Sequence, residues 1–235
     1  MILTEGKRIV IVGGHYGSGK SEFCLNLALS LKAAGRKVAI IDLDLVNPYF
    51  RSREKSDYLL EFGIPVYGSS YKTEITMEVP ALGANTRVPL EDPEMTSIID
   101  LGGNSAGALV SVQFIRYFRT GAYDFLCVIN RNRPETATLE GALHQINDIQ
   151  DRTGLTFTGL INNTHLLRET SLADLEKGLD LCDAVTEKTA LPTEFTGCPD
   201  FLLDALKNSP LRKRITHEIM PIRFLLRSTW LDQRI

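Results

Sequence analysis

The sequence predicts an α/β protein: a doubly wound, mainly parallel β-sheet flanked by helices. Three observations predict it. Short apolar, largely branched runs recur at Ile9–Val12, Val38–Ile41, Ser97–Leu101 and Tyr123–Ile129, spaced to leave room for connecting helices. Continuous runs of this kind suit parallel strands covered on both faces, because a half-exposed strand would alternate. Segments of helical period separate many of the runs, and a glycine-rich turn, Gly13–Ser21, joins the first run to the first helix. Repeated β and α units are the pattern of a doubly wound sheet.

Bulk properties narrow the class. The chain has 235 residues, 43% hydrophobic and 23% charged, with a net charge of −3. That length fits one domain spanning 1–235 with a substantial core. The charge offers no global attraction to nucleic acid or anionic lipid, so neither is expected as a partner. Cys24, Cys127, Cys182 and Cys198 form no C-x-x-C pair and read as small buried hydrophobes in a reducing compartment. Residues 1–6 are too short and polar for a signal peptide, and no run reaches the ~18 apolar residues of a membrane span. The expected compartment is the cytoplasm.

The elements follow in order. After the strand Ile9–Val12, Phe23, Cys24, Leu27, Ala28, Leu31 and Ala34 trace one helical face, closed by Gly35. Val38–Ile41 form a second buried strand, with Asp42 and Asp44 emerging at its carboxyl end, the edge where open α/β sheets bind ligands. Pro48 places Asn47–Arg53 in a loop. Glu54–Phe62 suit a short helix closed by Gly63, and Ile64–Tyr67 a short strand. Residues 69–95 hold three prolines and no sustained period, which marks an irregular excursion, mobile or partner-facing, with room for a helical turn inside it. Ser97–Leu101 make the third clear strand, followed by Gly102-Gly103 and a helix over Ser105–Arg119. Tyr123–Ile129, a helix from Pro134 to Asp151, the strand Phe157–Ile161 and a helix over Ser171–Cys182 continue the alternation. A strand at Pro192–Thr196 and a helix at Pro199–Lys207 complete it. Residues 211–235 carry six basic against two acidic residues, among aromatics and leucines. Pro221 breaks the amphipathic helix that membrane-surface binding would need. The favoured reading is an edge strand at Ile222–Leu226 with a capping tail.

The chemistry is concentrated at the glycine-rich turn. Gly14-x-x-x-x-Gly19-Lys20-Ser21 is the P-loop pattern, placed between a strand and a helix as that motif requires. Glycines free the backbone to wrap N–H groups around an anion, and the helix N-terminus adds its dipole. Gly14, His15, Tyr16, Gly17, Ser18, Gly19, Lys20, Ser21 and Glu22 are therefore the candidate nucleotide contacts. Lys20 supplies charge for the β- and γ-phosphates, and Ser21 a hydroxyl for Mg²⁺. Asp100 ends an apolar strand as a magnesium-holding aspartate does, and the Gly103 N–H is spaced to sense a γ-phosphate. Asp42 and Asp44, two residues apart on extended chain, share a face opposite the loop. One can hold a magnesium-bound water while the other orients the attacking water, since Mg²⁺ takes few carboxylates and keeps its waters.

These residues resemble the MinD/ParA/CobQ/CobB group of P-loop NTPases, in the SIMIBI class. That group also contains nitrogenase iron protein, arsenite-pump ATPases and the carbon-monoxide-dehydrogenase maturation ATPase. The resemblance rests on Gly14–Ser21, Ile40–Pro48, Asp100-Leu-Gly-Gly and Gly159–Asn163. It implies Mg²⁺ and ATP as cofactors, Asp42 near the metal, Asp44 activating water as a catalytic residue beside Lys20, and Asn163 at the adenine, with Asn162 one register away. In the group an early P-loop lysine reaches the partner subunit's nucleotide. His15 occupies that position here, and a shorter, partly charged imidazole makes a nucleotide-dependent homodimer compatible rather than implied. No guanine-reading [NT]-K-x-D sequence occurs, which disfavours GTP.

Three functional classes fit. The leading one is an ATP-hydrolysing switch in which segments 44–56 and 102–107 respond to the γ-phosphate, acting on a protein or cofactor-maturation client. The second is a small-molecule kinase or ATP-dependent ligase of the dethiobiotin-synthetase or CobB type, with residues 69–95 shaping an acceptor pocket. The third is a non-hydrolysing nucleotide-binding regulatory module.

Overall fold

The computed structural model describes residues 7–44, 52–68, 84–102, 114–118 and 122–226. Its centre is an eight-stranded sheet in the order β3-β2-β4-β1-β5-β6-β7-β8. The strands are β1 (Ile9–Gly14), β2 (Lys37–Asp42), β3 (Val66–Tyr67), β4 (Met95–Asp100), β5 (Tyr123–Ile129), β6 (Gly159–Asn162), β7 (Thr193–Pro199) and β8 (Glu218–Ile222). Every neighbouring pair is parallel. The helices are α1 (Lys20–Ala33), α2 (Ser56–Glu61), α3 (Val88–Glu91), α4 (Ile115–Phe118), α5 (Leu139–Thr153), α6 (Leu172–Thr189) and α7 (Leu203–Lys207).

The continuous apolar runs are buried on both faces for a geometric reason. Along β1, Val10 and Val12 join a core with Phe23, Leu27 and Leu31 of α1, whereas Ile9 and Ile11 point the other way. That second core gathers Phe125, Phe157, Ala142, Ile146 and Ile149, so α5 covers the face opposite α1. β1 lies between β4 and β5, so the chain winds outward in both directions from it. The crevice of such a sheet opens at the carboxyl end of the strands flanking that reversal. Here those ends deliver the P-loop, Asp42 and Asp100 to one place.

Helix boundaries follow their capping chemistry. Thr138 accepts the Gly141 N–H, and α5 begins after it rather than at Pro134, which opens a 3₁₀ turn. Ser171 and Asp174 form a reciprocal capping box at the start of α6. That helix runs on to Thr189, past the expected stop at Cys182, because Val185 continues the buried face. Gly178 of α6 packs against the end of β6, where a Cβ would meet the Asn162 and Thr164 side chains. Gly178→Ala should therefore cost about 1–3 kcal/mol, read as a lower Cm in urea with an unchanged m-value.

Several strand boundaries shift from the sequence reading. The strand expected at Phe157–Ile161 begins at Gly159; the Phe157 N–H is taken by the Gln150 side chain, and Thr158 meets Phe125 through both its backbone N–H and its hydroxyl. The last strand is Glu218–Ile222, not Ile222–Leu226. Pro221 is tolerated there because β8 is an edge strand and Pro221 is exposed. Part of the 69–95 excursion is ordered structure: a 3₁₀ turn at Ala84–Arg87, α3, and the start of β4 at Met95. Its first stretch lies outside the described residues. So does much of the helix expected over Ser105–Arg119, of which α4 is the described part. Among the described residues, no helix is long and apolar enough to cross a membrane.

Candidate functional site

The phosphate loop leaves β1 at Gly14 and closes into α1 at Lys20. Gly19 is the N-cap, with φ 88° and ψ 22°, and a Cβ there would press on the Asn163 amide and lie 2.9 Å from His165 Nε2. Glycine is required both for the left-handed backbone and for that contact. The loop is braced from outside. Asn163 Nδ2 donates to the Ser18 carbonyl at 2.9 Å, and Arg133 Nε donates to the Gly17 carbonyl at 2.8 Å. These two bonds restrain the loop from outside, while the Ser18 N–H turns back on the His15 carbonyl at 3.2 Å; a loop so held is pre-shaped for an anion.

Lys20 is 5% exposed, and its Nζ donates to the His15 carbonyl at 2.9 Å. Burial lowers its pKa, against the opposing pull of Asp100 and Asp44. The His15 imidazole Nδ1 lies 3.0 Å from the Tyr16 carbonyl and 3.7 Å from a Glu135 carboxylate oxygen. Tyr16 is largely exposed.

Three carboxylates converge below the loop. Asp42 and Asp100 stand opposite each other in the register of β2 and β4, both fully buried. The Asp44 N–H donates to Asp42 Oδ1 at 3.0 Å, which turns the chain so that Asp44 lines the same cavity as Lys20. Burial, with Asp42 as a like-charged neighbour, pushes Asp100 up to about 7. Hydrogen bonds from the Ser21 and Ser52 hydroxyls pull the other way. Ser52 Oγ donates to Asp100 Oδ2 at 2.7 Å.

The residues present fit a magnesium–phosphate ligand. Asp100 Oδ1 and Ser18 Oγ are buried with no hydrogen-bond partner among the described atoms, and buried polar atoms in that condition call for a ligand. Ser21, Asp42 and Asp100 offer hard oxygen donors. No group of three or more His, Cys, Asp or Glu among the described residues forms a metal cage by itself. Mg²⁺ commonly uses one or two carboxylates and completes its shell with water and phosphate oxygens.

A cavity of about 200 Å³ opens from the loop. It is lined by Gly17, Gly19, Lys20 and Ser21 of the loop and by the apolar Leu167, Pro199, Ile222, Phe224 and Leu226. Glu22, Asp44, Arg133, Asn163 and His165 lie along it. Of the sequence-predicted site residues, Tyr16, Gly17, Gly19, Lys20, Ser21, Glu22, Asp44 and Asn163 line this cavity, whereas Gly14, His15, Ser18, Asp42 and Asp100 do not; Gly103 lies outside the described residues, as do 45–51 between Asp44 and Ser52. Sequence reasoning missed Ser52, Asn26 and the Phe224–Leu226 wall. A hydroxyl after a loop carries no periodic signal, and the wall is brought in from the far end of the chain.

Residues 9–196 match the family described as CobQ/CobB/MinD/ParA nucleotide binding domain. The chain is 38% identical over 98 residues to the cytosolic Fe-S cluster assembly factor Nubp2 homolog of Drosophila virilis, covering 39% of this chain and 37% of that protein. It is 31% identical over 134 residues to the cytosolic Fe-S cluster assembly factor CFD1 of Yarrowia lipolytica, covering 54% and 42%. The match thus spans about two fifths of the length of these relatives. Among solved structures, the cell division protein FtsY of Thermotoga maritima superposes with a TM-score of 0.51 at 18% identity, over 83% of this chain and 63% of that one. That likeness supports the fold alone.

Proposed function

The chain belongs to the CobQ/CobB/MinD/ParA nucleotide-binding domain family, and from that premise we propose that it is an ATP-hydrolysing switch serving a protein or cofactor-maturation client. The observation that carries this reading is the position of Lys20, Ser21 and Asp44 on the cavity at the phosphate loop, with Asp42 and Asp100 buried opposite each other at the strand ends and Asp100 raised to about 7 by burial. Two of these carboxylates, Asp100 and Asp44, act electrostatically on the buried Lys20 ammonium, and the third, Asp42, stands opposite Asp100 in the sheet register. They are suited to a bound cation beside a polyanion.

In this proposal the loop N–H groups and Lys20 bind the triphosphate. Ser21, Asp42 and Asp100 would hold Mg²⁺, which would supply charge neutralisation for the phosphates. Asp44, tied by its N–H to Asp42, orients the attacking water. Burial of Lys20 and Asp100 keeps bulk water from screening the charges they present.

The relatives are named for Fe-S cluster assembly, which gives the client a concrete chemistry. The chain's own thiols do not fit a cluster. All four cysteines are buried, and burial pushes Cys127 up to about 12 and Cys198 to about 11. Cys24 and Cys182 are raised by the same cause. Thiolate is the metal-binding form, so cluster ligands would come from the client or a partner.

The test is steady-state ATP hydrolysis by the wild-type chain and Asp44→Ala. Removing the group that orients water should cut turnover by about 100-fold while ATP affinity stays within about threefold. Transfer of phosphate to a metabolite with little background hydrolysis would replace the switch by a small-molecule kinase. ATP binding with no turnover would replace it by a regulatory module.

A further inference from the structure

We propose that residues 222–226, the chain leaving β8, form the wall against which the base of the nucleotide is seated, with Phe224 as the contact that holds it. This rests on the nucleotide reading of the pocket and assigns its apolar lining.

The segment is fastened to α1 by side chains in place of a strand partner. The Asn26 carboxamide receives the Arg223 N–H at 3.0 Å and donates to the Arg223 carbonyl at 3.0 Å, copying the two-way exchange of a sheet edge. The Glu22 carboxylate accepts the N–H groups of Leu225 and Leu226. Glu22 and Asn26 are four residues apart and share a face of α1. Glu22 directly follows Ser21, so the segment is pinned to the same helical turn that binds phosphate.

What the pinning achieves is visible in the cavity. It is lined both by the phosphate-loop residues Gly17, Gly19, Lys20 and Ser21 and by the apolar Ile222, Phe224, Leu226, Leu167 and Pro199. A ligand that joins a polyanion to a flat apolar ring matches a lining of both kinds. Phe224 is half-buried against the α1 core, and its neighbour Phe201 lies 6.4 Å away, tilted by 53°. The two rings do not stack on each other, which leaves Phe224 available to a base. Glu22 is then a positioning residue, acting through the Leu225 and Leu226 backbone.

The experiment compares ATP, ADP and inorganic tripolyphosphate by calorimetry on the full chain, wild type, Phe224→Ala, Phe224→Leu and Glu22→Gln. Loss of aromatic stacking should weaken ATP and ADP by about 5- to 100-fold in Phe224→Ala, less in Phe224→Leu and Glu22→Gln. Tripolyphosphate, which has no base, should bind all four proteins within about twofold. Phe224→Leu preserves apolar volume should the alanine variant fail to fold. The proposal is overturned if both Phe224 variants bind ATP like wild type, or if they lose tripolyphosphate as much as ATP. A wild-type chain that binds no nucleotide overturns the nucleotide reading itself, and this assignment with it.

Discussion

Lys20→Ala should lower the affinity for Mg·ATP by at least about 100-fold, measured by calorimetry at fixed salt. The reasoning starts from burial. The Lys20 ammonium is almost fully withdrawn from water, and its pKa is lowered by that desolvation. Its contact with the His15 carbonyl sets the ammonium against an uncharged acceptor, a weaker pairing than ammonium with an anionic phosphate oxygen. Charge-assisted hydrogen bonds contribute roughly 1.5–3 kcal/mol each, and a hundredfold change in affinity corresponds to about 2.7 kcal/mol. One or two such bonds to phosphate oxygens suffice. The loss should exceed that of Arg133→Ala, because Arg133 reaches the loop from outside through the Gly17 carbonyl, whereas Lys20 is inside it. A Lys20→Ala chain that binds Mg·ATP within threefold of wild type would remove the phosphate-loop assignment.

How much of this was legible in sequence divides along a physical line. β1, the loop and α1 were readable because their signal is local: branched residues, glycines at fixed spacing, then a helical face. Asp42 and Asp100 were readable because each ends an apolar run, and parallel pairing of β2 and β4 brings such ends together. Ser52 was not, since its bond to Asp100 spans 48 residues and depends on how the loop after Asp44 returns. The wall at 222–226 was hidden more deeply. Glu22 reads as an ordinary acid in a first helical turn, and its partners stand 203 and 204 residues away. Pro221 misled in a specific way: as a helix breaker it correctly excluded an amphipathic helix, but an edge strand accepts proline. The strand therefore lies four residues earlier than the apolar residues alone suggested.

Asp100→Asn should separate stability from catalysis, stabilising the nucleotide-free chain while cutting Mg²⁺-dependent hydrolysis by about 100-fold or more. Asp42 and Asp100 face each other, fully buried, in the register of β2 and β4, and burial with this repulsion raises Asp100 from 3.8 to about 7. A carboxyl with a raised folded pKa binds its proton more tightly when folded. Its contribution to stability is full below the unfolded value near 3.8 and is lost as pH rises through about 7. At about 1.4 kcal/mol per unit, the loss is on the order of 4 kcal/mol above pH 8. Asparagine keeps an oxygen to accept the Ser52 hydroxyl and carries no charge to bury. The stability difference between variant and wild type should thus be largest near pH 8 and shrink steadily toward pH 5, as followed by urea unfolding. Mg·ATP should narrow the gap from the other side, stabilising the wild type more than the variant, because the amide is a poorer ligand for a hard cation than a carboxylate. If Asp100→Asn is destabilised at pH 8, or if it hydrolyses ATP like wild type, the carboxylate pair is not a cation site held under electrostatic load.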